Sequence, residues 1–281
     1  MIDNLISRKL TQAARLVEAA EMIVFITGAG MGIDSGLPDF RGNQGFWRAY
    51  PALERSGVDF TSIASPPSFR QQPNRAWGFY GHRLNLYRQT IPHQGYETLK
   101  KWGENSPCGY MSFTTNVDGH FQKAGFDQRA VTECHGSIHY LQCLDACSTD
   151  IWPADTFVPE IDEENCLLLN DPPRCPHCKG LARPNIYMFG DNEWLQHRTV
   201  IQQRRLEHWL RAAERLLVIE IGAGTAISTA RDFTHRLAFD SHAPVIRINP
   251  RDAAIHGNVS HVSLSMKRLE ALQEIDALLS V

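Results

Sequence analysis

The chain has 281 residues, 43% of them hydrophobic, enough for one large core or for a domain with a smaller insert. Its net charge is −3, with 28 Lys and Arg against 31 Asp and Glu mixed along the length, and no basic stripe marks a face for nucleic acid. The longest apolar runs are too short to span a bilayer, and the first residues lack the basic, apolar, small-residue order of a secretory signal; the expectation is a cytoplasmic protein with no membrane or nucleic-acid partner.

Residues 5 to 20 place Leu5, Leu10, Ala13, Ala14, Leu16 and Val17 at helical spacing. Met22–Thr27 then reads as a buried strand running into Gly28-Ala29-Gly30. Residues 45 to 85, rich in aromatics and prolines, read as helical or irregular. A second strand, Tyr110–Thr114, ends on Thr115-Asn116. Residues 141 to 189 hold most of the cysteines and an acidic loop at Asp162, Glu163 and Glu164. A helix over 202 to 215 leads to a third strand, Leu216–Ile221, followed by Gly222-Ala223-Gly224. A fourth, Val245–Ile248, is followed by Asn249-Pro250. Strands alternating with helices predict an α/β fold with a Rossmann-like, mostly parallel sheet covered on both faces. In such a sheet the ligand sits beyond the carboxyl ends of the strands, where the glycines and unusual polar residues fall. The two interruptions predict a smaller zinc-binding and helical domain formed by inserts at 45–85 and 141–189. The Rossmann-like domain then comprises 1–44, 86–140 and 190–281.

Gly28-Ala29-Gly30 after a strand lets backbone N–H groups approach a pyrophosphate, because no Cβ blocks the way. The order here is G-x-G-x-G, and no partner acid follows ~20 residues later, so a plain strand-to-helix turn is the alternative. Gly222-Ala223-Gly224-Thr225 repeats the theme, and two such turns predict a dinucleotide spread across the sheet. Seven cysteines without a signal predict reduced thiols and metal binding over disulfides. Cys143 and Cys147 have three residues between them, Cys175 and Cys178 have two, and 27 separate the pairs. That spacing predicts one structural zinc held by four thiolates. Cys108, Cys134 and Cys166 fall outside it and read as small buried hydrophobes.

In this order, from about residue 20 to 265, these pieces resemble the sirtuin family of NAD-dependent protein deacylases. "GAGMGIDSGLPDFRG" from Gly28 looks like the cofactor loop and "TTNVDGHFQKAG" from Thr114 like the second motif. "ECHGSIHYLQC" from Glu133 holds the His-Gly pair, "ARPNIYMFGD" from Ala182 resembles the strand that receives the peptide, and "GAGTA" and "RINP" resemble the late nucleotide motifs. The resemblance implies that Asp39, Phe40 and Arg41 lie where the glycosidic bond of NAD breaks, Phe40 shielding the sugar carbon and Arg41 helping to bind phosphate. Asn116 and Asp118 would hold the nicotinamide carboxamide. The amide oxygen of an acylated protein lysine would attack the sugar, giving an imidate. His135 would act as general base on a ribose hydroxyl that attacks this imidate, so the acyl group ends on ADP-ribose. An imidazole with pKa near 6.5 suits that task. Thr115 would face the nicotinamide ribose, and Gly222, Gly224, Thr225 and Asn249 would serve the adenosine half. The segment from Arg183 would offer an edge to the peptide, with Met188, Phe189 and Gly190 against the substrate. His120 and His139 read as structural.

The chain departs from that pattern at Thr115, where Gln is usual, at Gly32, where Ser is usual, and at Ala223 and Gly224, where hydroxyl residues are common. At roughly 0.5–1.5 kcal/mol net per hydrogen bond, these losses weaken NAD binding unless backbone N–H groups compensate. Asp191 stands where Glu is usual. Tyr80 and Arg83, at i and i+3 on one helical face, with Ala64 before them, match the pair that marks sirtuins acting on succinyl and malonyl groups. An NAD glycohydrolase or protein ADP-ribosyltransferase is the alternative activity, and a non-catalytic NAD-sensing or zinc-scaffold protein the alternative class.

Overall fold

The computed structural model describes residues 2–38, 42–212, 214–255 and 261–280. Its strands are β1 (Met22–Thr27), β2 (Tyr110–Thr114), β3 (Val131–Glu133), β4 (Gly136–Cys143), β5 (Ile151–Pro153), β6 (Ile161–Asp162), β7 (Leu167–Leu168), β8 (Ala182–Ile186), β9 (Leu216–Ile221), β10 (Val245–Ile248) and β11 (His261–Leu264). Six of them form one parallel sheet in the order β11-β10-β9-β1-β2-β3.

All six residues of β1 are buried, as a strand covered on both faces requires. Its side chains alternate between two cores. Ile23 and Phe25 join the core that includes Ala13 of helix Ile2–Ala19, Leu99 of helix Gly95–Asn105 and Leu272 of helix Arg268–Leu279. Met22, Val24 and Ile26 join Leu206 of helix His197–Leu210 and Phe233 of helix Thr229–Asp240 on the other face. The result is a three-layer, Rossmann-like arrangement.

A third core lies apart from the sheet. It gathers Phe46, Leu53, Phe69, Trp77 and Tyr80 from a run of helices and Ile138, Leu141 and Ile186 from an antiparallel sheet ordered β5-β4-β8. The Trp77 indole donates to the Ala182 carbonyl (3.0 Å), tying the helices to β8. The acidic loop at Asp162 to Glu164 closes the hairpin β6–β7.

Three differences from the sequence reading stand out. The helix expected over 202–215 spans His197–Leu210, because its buried face opens with the polar residues Thr199 and Gln202 before Leu206. β3 and β11 carry no continuous apolar run, which hid them. Three of the four expected insert boundaries fall inside elements: helix Gly42–Ala49, helix Pro73–Gln89 and β4 run through them.

Candidate active site

The ends of β1 and β9 are locked together. Gly28 N–H donates to the Ile221 carbonyl (3.1 Å) and Gly30 N–H to the Gly222 carbonyl (3.0 Å). A Cβ on Gly30 would stand 2.7 Å from Gly222 Cα, and Gly222 itself has φ +64°. The glycines therefore let two turns approach each other, and the N–H groups of Gly28 and Gly30 are spent inside the protein. Ala29 stays exposed between them, and on the second turn Thr225 is exposed and Gly224 half-buried. Asp39, Phe40 and Arg41 lie outside the described residues.

β2 delivers the next group. Thr27 and Thr114 share a buried hydroxyl hydrogen bond (2.8 Å), and Thr114 Oγ1 accepts from Asn116 N–H (3.0 Å). Asn116 Nδ2 donates to the Gly28 carbonyl (3.1 Å), which seats the amide beside the first glycine turn. Thr115 Oγ1 donates to the Thr27 carbonyl (3.3 Å), so that hydroxyl is already engaged. Asp118 is buried, and its Oδ1 accepts from His120 N–H (2.9 Å). His139 Nε2 donates to the Asp118 carbonyl (2.8 Å), a positioning role that suits its structural reading.

His135 follows β3 after one residue, Cys134. The Cys134 N–H donates to the Thr114 carbonyl (3.0 Å), and the His135 carbonyl accepts from Tyr187 N–H (2.9 Å). The residue thus bridges the end of β2 and the end of β8. Gly136 next to it has φ +80°, and a Cβ there would fall 2.1 Å from the Asn185 carbonyl oxygen, so the His-Gly order is a requirement of β4 meeting β8. Burial lowers the His135 pKa, and a hydrogen bond with the Thr115 backbone pulls in the opposite direction. The imidazole is therefore neutral at pH 7 and ready to take a proton.

β8 forms an edge of its sheet, and residues 187–190 follow it, the last two in a turn. Phe189 N–H donates to the Ala64 carbonyl (2.9 Å), and the Phe189 ring meets Phe60 edge-on (5.6 Å). Met188 is buried, whereas Tyr187 and Phe189 are exposed. Gly190 (φ +63°) turns the chain toward Asp191. Tyr80 and Arg83 sit on helix Pro73–Gln89, in the core that also holds Ala64 and Met188. Arg83 Nε and Nη2 donate to Tyr87 Oη (2.9 and 2.8 Å), and its guanidinium lies 5.2 Å from the Phe79 ring centre and 5.7 Å from that of Tyr80. Burial pushes the Tyr80 phenol up to about 12.

Asn249, after β10, was expected beside the adenine ribose. Its Nδ2 donates to the Ala223 carbonyl (2.9 Å), and its Oδ1 accepts from the N–H groups of Arg251 and Asp252 (3.0 and 3.1 Å). The side chain holds the turn after β9 in place. A cavity of about 890 Å³ opens behind Asp118, between Ser137, His139, Glu133 and Arg198; His135, Asn116 and the glycine turns are not part of its lining.

The metal set is separate from all of these. The Sγ atoms of Cys143, Cys147, Cys175 and Cys178 lie within 4.8 Å of one another, with Cys143–Cys178 at 3.7 Å and Cys147–Cys175 at 3.5 Å. Four sulfurs about 2.3 Å from one zinc stand about 3.8 Å apart at the corners of a tetrahedron, so this set fits a structural zinc. Hydrogen bonds shared with Cys178, Cys143 and Cys175 push the Cys147 thiol up to about 12. At Cys175 burial acts upward, but the N–H groups of Cys178 and His177 and the hydrogen bonds with the Cys147 and Cys178 sulfurs together bring the thiol down to about 7.

The Sir2 family profile matches residues 28–225 of this chain. The chain belongs to the Sir2 family. A protein of Aquifex aeolicus called NAD-dependent protein deacylase is 31% identical over 233 residues, which is 83% of this Sir2 chain and 85% of that protein. One of the same description from Corynebacterium glutamicum is 29% identical over 252 residues, 89% of this chain and 88% of that one. Among solved structures, a Sir2 homologue in complex with NAD superimposes with a TM-score of 0.74 at 21% identity, covering 95% of this chain and 93% of the other, a likeness of fold.

Sequence reasoning missed two residues that organise this Sir2 site. Arg183 donates from Nη1 and Nη2 to both oxygens of Asp191 (2.7 and 2.8 Å) in a fully buried pair, and Asp191 also accepts from Met188 N–H (3.3 Å). Arg231 grips the turn after β9. Asp191 was visible as a motif acid only; Arg231 belonged to no motif.

Proposed function

We propose that this Sir2 protein is an NAD-dependent protein-lysine deacylase, moving the acyl group of a modified lysine onto ADP-ribose and releasing nicotinamide. One observation carries the reading. A neutral imidazole, the Asn116 amide and two interlocked glycine turns converge at the carboxyl edge of a single parallel sheet, next to the edge strand β8. The site fits the dinucleotide through the outward faces of the turns at Ala29, Gly224 and Thr225 and through Asn116 and Asp118 at the other end. Bound there, NAD supplies a cationic nicotinamide leaving group and a ribose to receive the acyl group. His135 takes the proton from a ribose hydroxyl, and Asn116 and Asp118 orient the carboxamide. The Tyr187–Gly190 segment aligns the peptide, whose lysine passes Ala64 and Met188. Phe40 and Arg41, with Asp39, are assigned to the glycosidic end on the motif alone.

The acyl preference follows from Arg83. Its guanidinium is held by Tyr87 and backed by Phe79 and Tyr80 in the same apolar core as Ala64, which supports recognition of an acyl carboxylate, as in succinyl- or malonyl-lysine. The same reading divides the chain into a Rossmann-like dinucleotide half and a smaller zinc-binding and helical half drawn from 45–85 and 141–189. Four of the seven cysteines gather as a metal set, which supports a reducing, cytoplasmic setting; among the described residues no helix is long and apolar enough to cross a membrane.

The test is a panel of acetyl-, malonyl- and succinyl-lysine peptides with NAD, read by mass. The expected product is acyl-ADP-ribose, with turnover lowered about 10²- to 10⁴-fold in His135→Ala. Arg83→Met is expected to lose the acidic acyl groups selectively; unchanged preference would end that part. Free ADP-ribose formed without peptide would establish the glycohydrolase activity in place of deacylation.

A further inference from the structure

Ala223 and Gly224 bring no hydroxyl to the turn after β9, yet the turn is held by a residue from another element. Arg231, on helix Thr229–Asp240, donates from Nε to the carbonyls of Ala223 (3.3 Å) and Gly224 (3.2 Å). Its Nη2 donates to the carbonyls of Ala223 (3.0 Å) and Asp252 (2.7 Å). Asn249 Nδ2 adds a further bond to Ala223 (2.9 Å). Two consecutive carbonyls are thus drawn to one side by a single guanidinium.

The chain contains no cis peptide bond among the described residues. In a trans peptide the N–H points opposite to the C=O. With the carbonyls of Ala223 and Gly224 turned toward Arg231, the N–H groups of Gly224 and Thr225 are turned away from it, and neither donates to a backbone carbonyl among the described residues. The turn itself is not crowded: a Cβ on Gly224 would meet nothing within 4 Å, and Thr225 is exposed.

We propose that Arg231 is a positioning residue for the dinucleotide, one that rotates two peptides so that the N–H groups of Gly224 and Thr225 form a two-donor cradle for an anionic part of NAD, in place of the absent hydroxyls. The inference rests on the dinucleotide reading above and adds a residue of this chain to it. Consecutive N–H groups facing one way form a concave anion site, and the guanidinium behind them adds positive potential without touching the ligand. A side chain that forks across several acceptors does this, whereas an ammonium on a flexible stem does not.

The test titrates NAD alone, by calorimetry, into the wild type, Arg231→Met and Arg231→Lys, with thermal midpoints and the binding of an acylated peptide measured alongside. The expected result is a Kd for NAD about tenfold weaker in Arg231→Met and intermediate in Arg231→Lys. Peptide affinity stays unchanged, and in turnover KM for NAD rises with kcat within about twofold of wild type. Amide hydrogen exchange of the 222–225 turn, without ligand, is expected to speed up in Arg231→Met. If Arg231→Met fails to fold, equal NAD affinity in Arg231→Lys and wild type overturns the proposal. Equal affinity in folded Arg231→Met overturns it while leaving the deacylase reading intact, and a wild type that does not bind NAD overturns both.

Discussion

Asp191 shows how one carboxylate shapes the segment proposed to receive the peptide without facing it. Its two oxygens take both arms of the Arg183 fork and the N–H groups of Met188 and Glu193, and both charged side chains are fully buried. Beside them Gln142 Oε1 accepts from Asn185 Nδ2 and Leu195 N–H, pinning the far end of the same loop. Removing one partner of a buried pair strands the other charge, so Asp191→Ala is expected to cost about 3–5 kcal/mol in urea unfolding. A loss below about 1 kcal/mol would mean that solvent reaches Arg183. The motif located the acid, but not its partner, since Arg183 read only as part of a peptide edge. Glycine roles were legible in kind and not in detail: Gly28 and Gly30 marked a close approach, yet the approaching object is the turn at Gly222. Asn249 was expected beside the adenine ribose, and its amide holds the turn after β9 and the N–H of Arg251.

Among the elements, legibility tracked burial. β1, β2, β9 and β10 read directly as apolar runs because both their faces are covered. β3 (Val131-Thr132-Glu133) and β11 (His261-Val262-Ser263-Leu264) did not, since edge strands interleave polar residues. The cysteine spacing told more than any periodicity in its region: β5, β6 and β7 are only two or three residues long. Cys143 ends β4, and Cys175 and Cys178 flank a tight turn in which Cys175 N–H donates to the Gly180 carbonyl (2.8 Å) and Lys179 N–H to the Cys175 carbonyl (3.0 Å). A metal there clamps a segment with little core of its own. One zinc per chain is expected by atomic absorption. Its removal by a chelator should open 145–180 to protease while the parallel sheet keeps its circular-dichroism signal. Much less than one zinc, or no change in cleavage after removal, would contradict a structural role.

Across the whole molecule, histidine burial sets an acid limit on stability. Burial lowers the pKa of His82, His93, His120 and His135 below 6.5 in the folded state. An unfolded chain regains ordinary imidazoles near 6.5, so between that value and the folded pKa values it binds more protons. Stability present above about pH 6.5 is therefore expected to fall as pH drops toward the folded values. Denaturant midpoints at pH 7.5, 6.5 and 5.5, with zinc content checked at each, measure it; a midpoint that stays level or rises toward acid would refute the claim. The strand order has its own reach beyond the finished fold. β1 lies in the middle of the sheet, one edge waiting for β2 and the other for β9, which begins at Leu216. While the ribosome works from β1 to β9, at about 5–20 residues per second, the stretch Met-Ile-Val-Phe-Ile-Thr lacks at least one of its two neighbours for roughly 10–40 s. During synthesis this protein should lean on chaperones that shelter apolar segments, and nascent chains stalled before residue 216 should be its most aggregation-prone form.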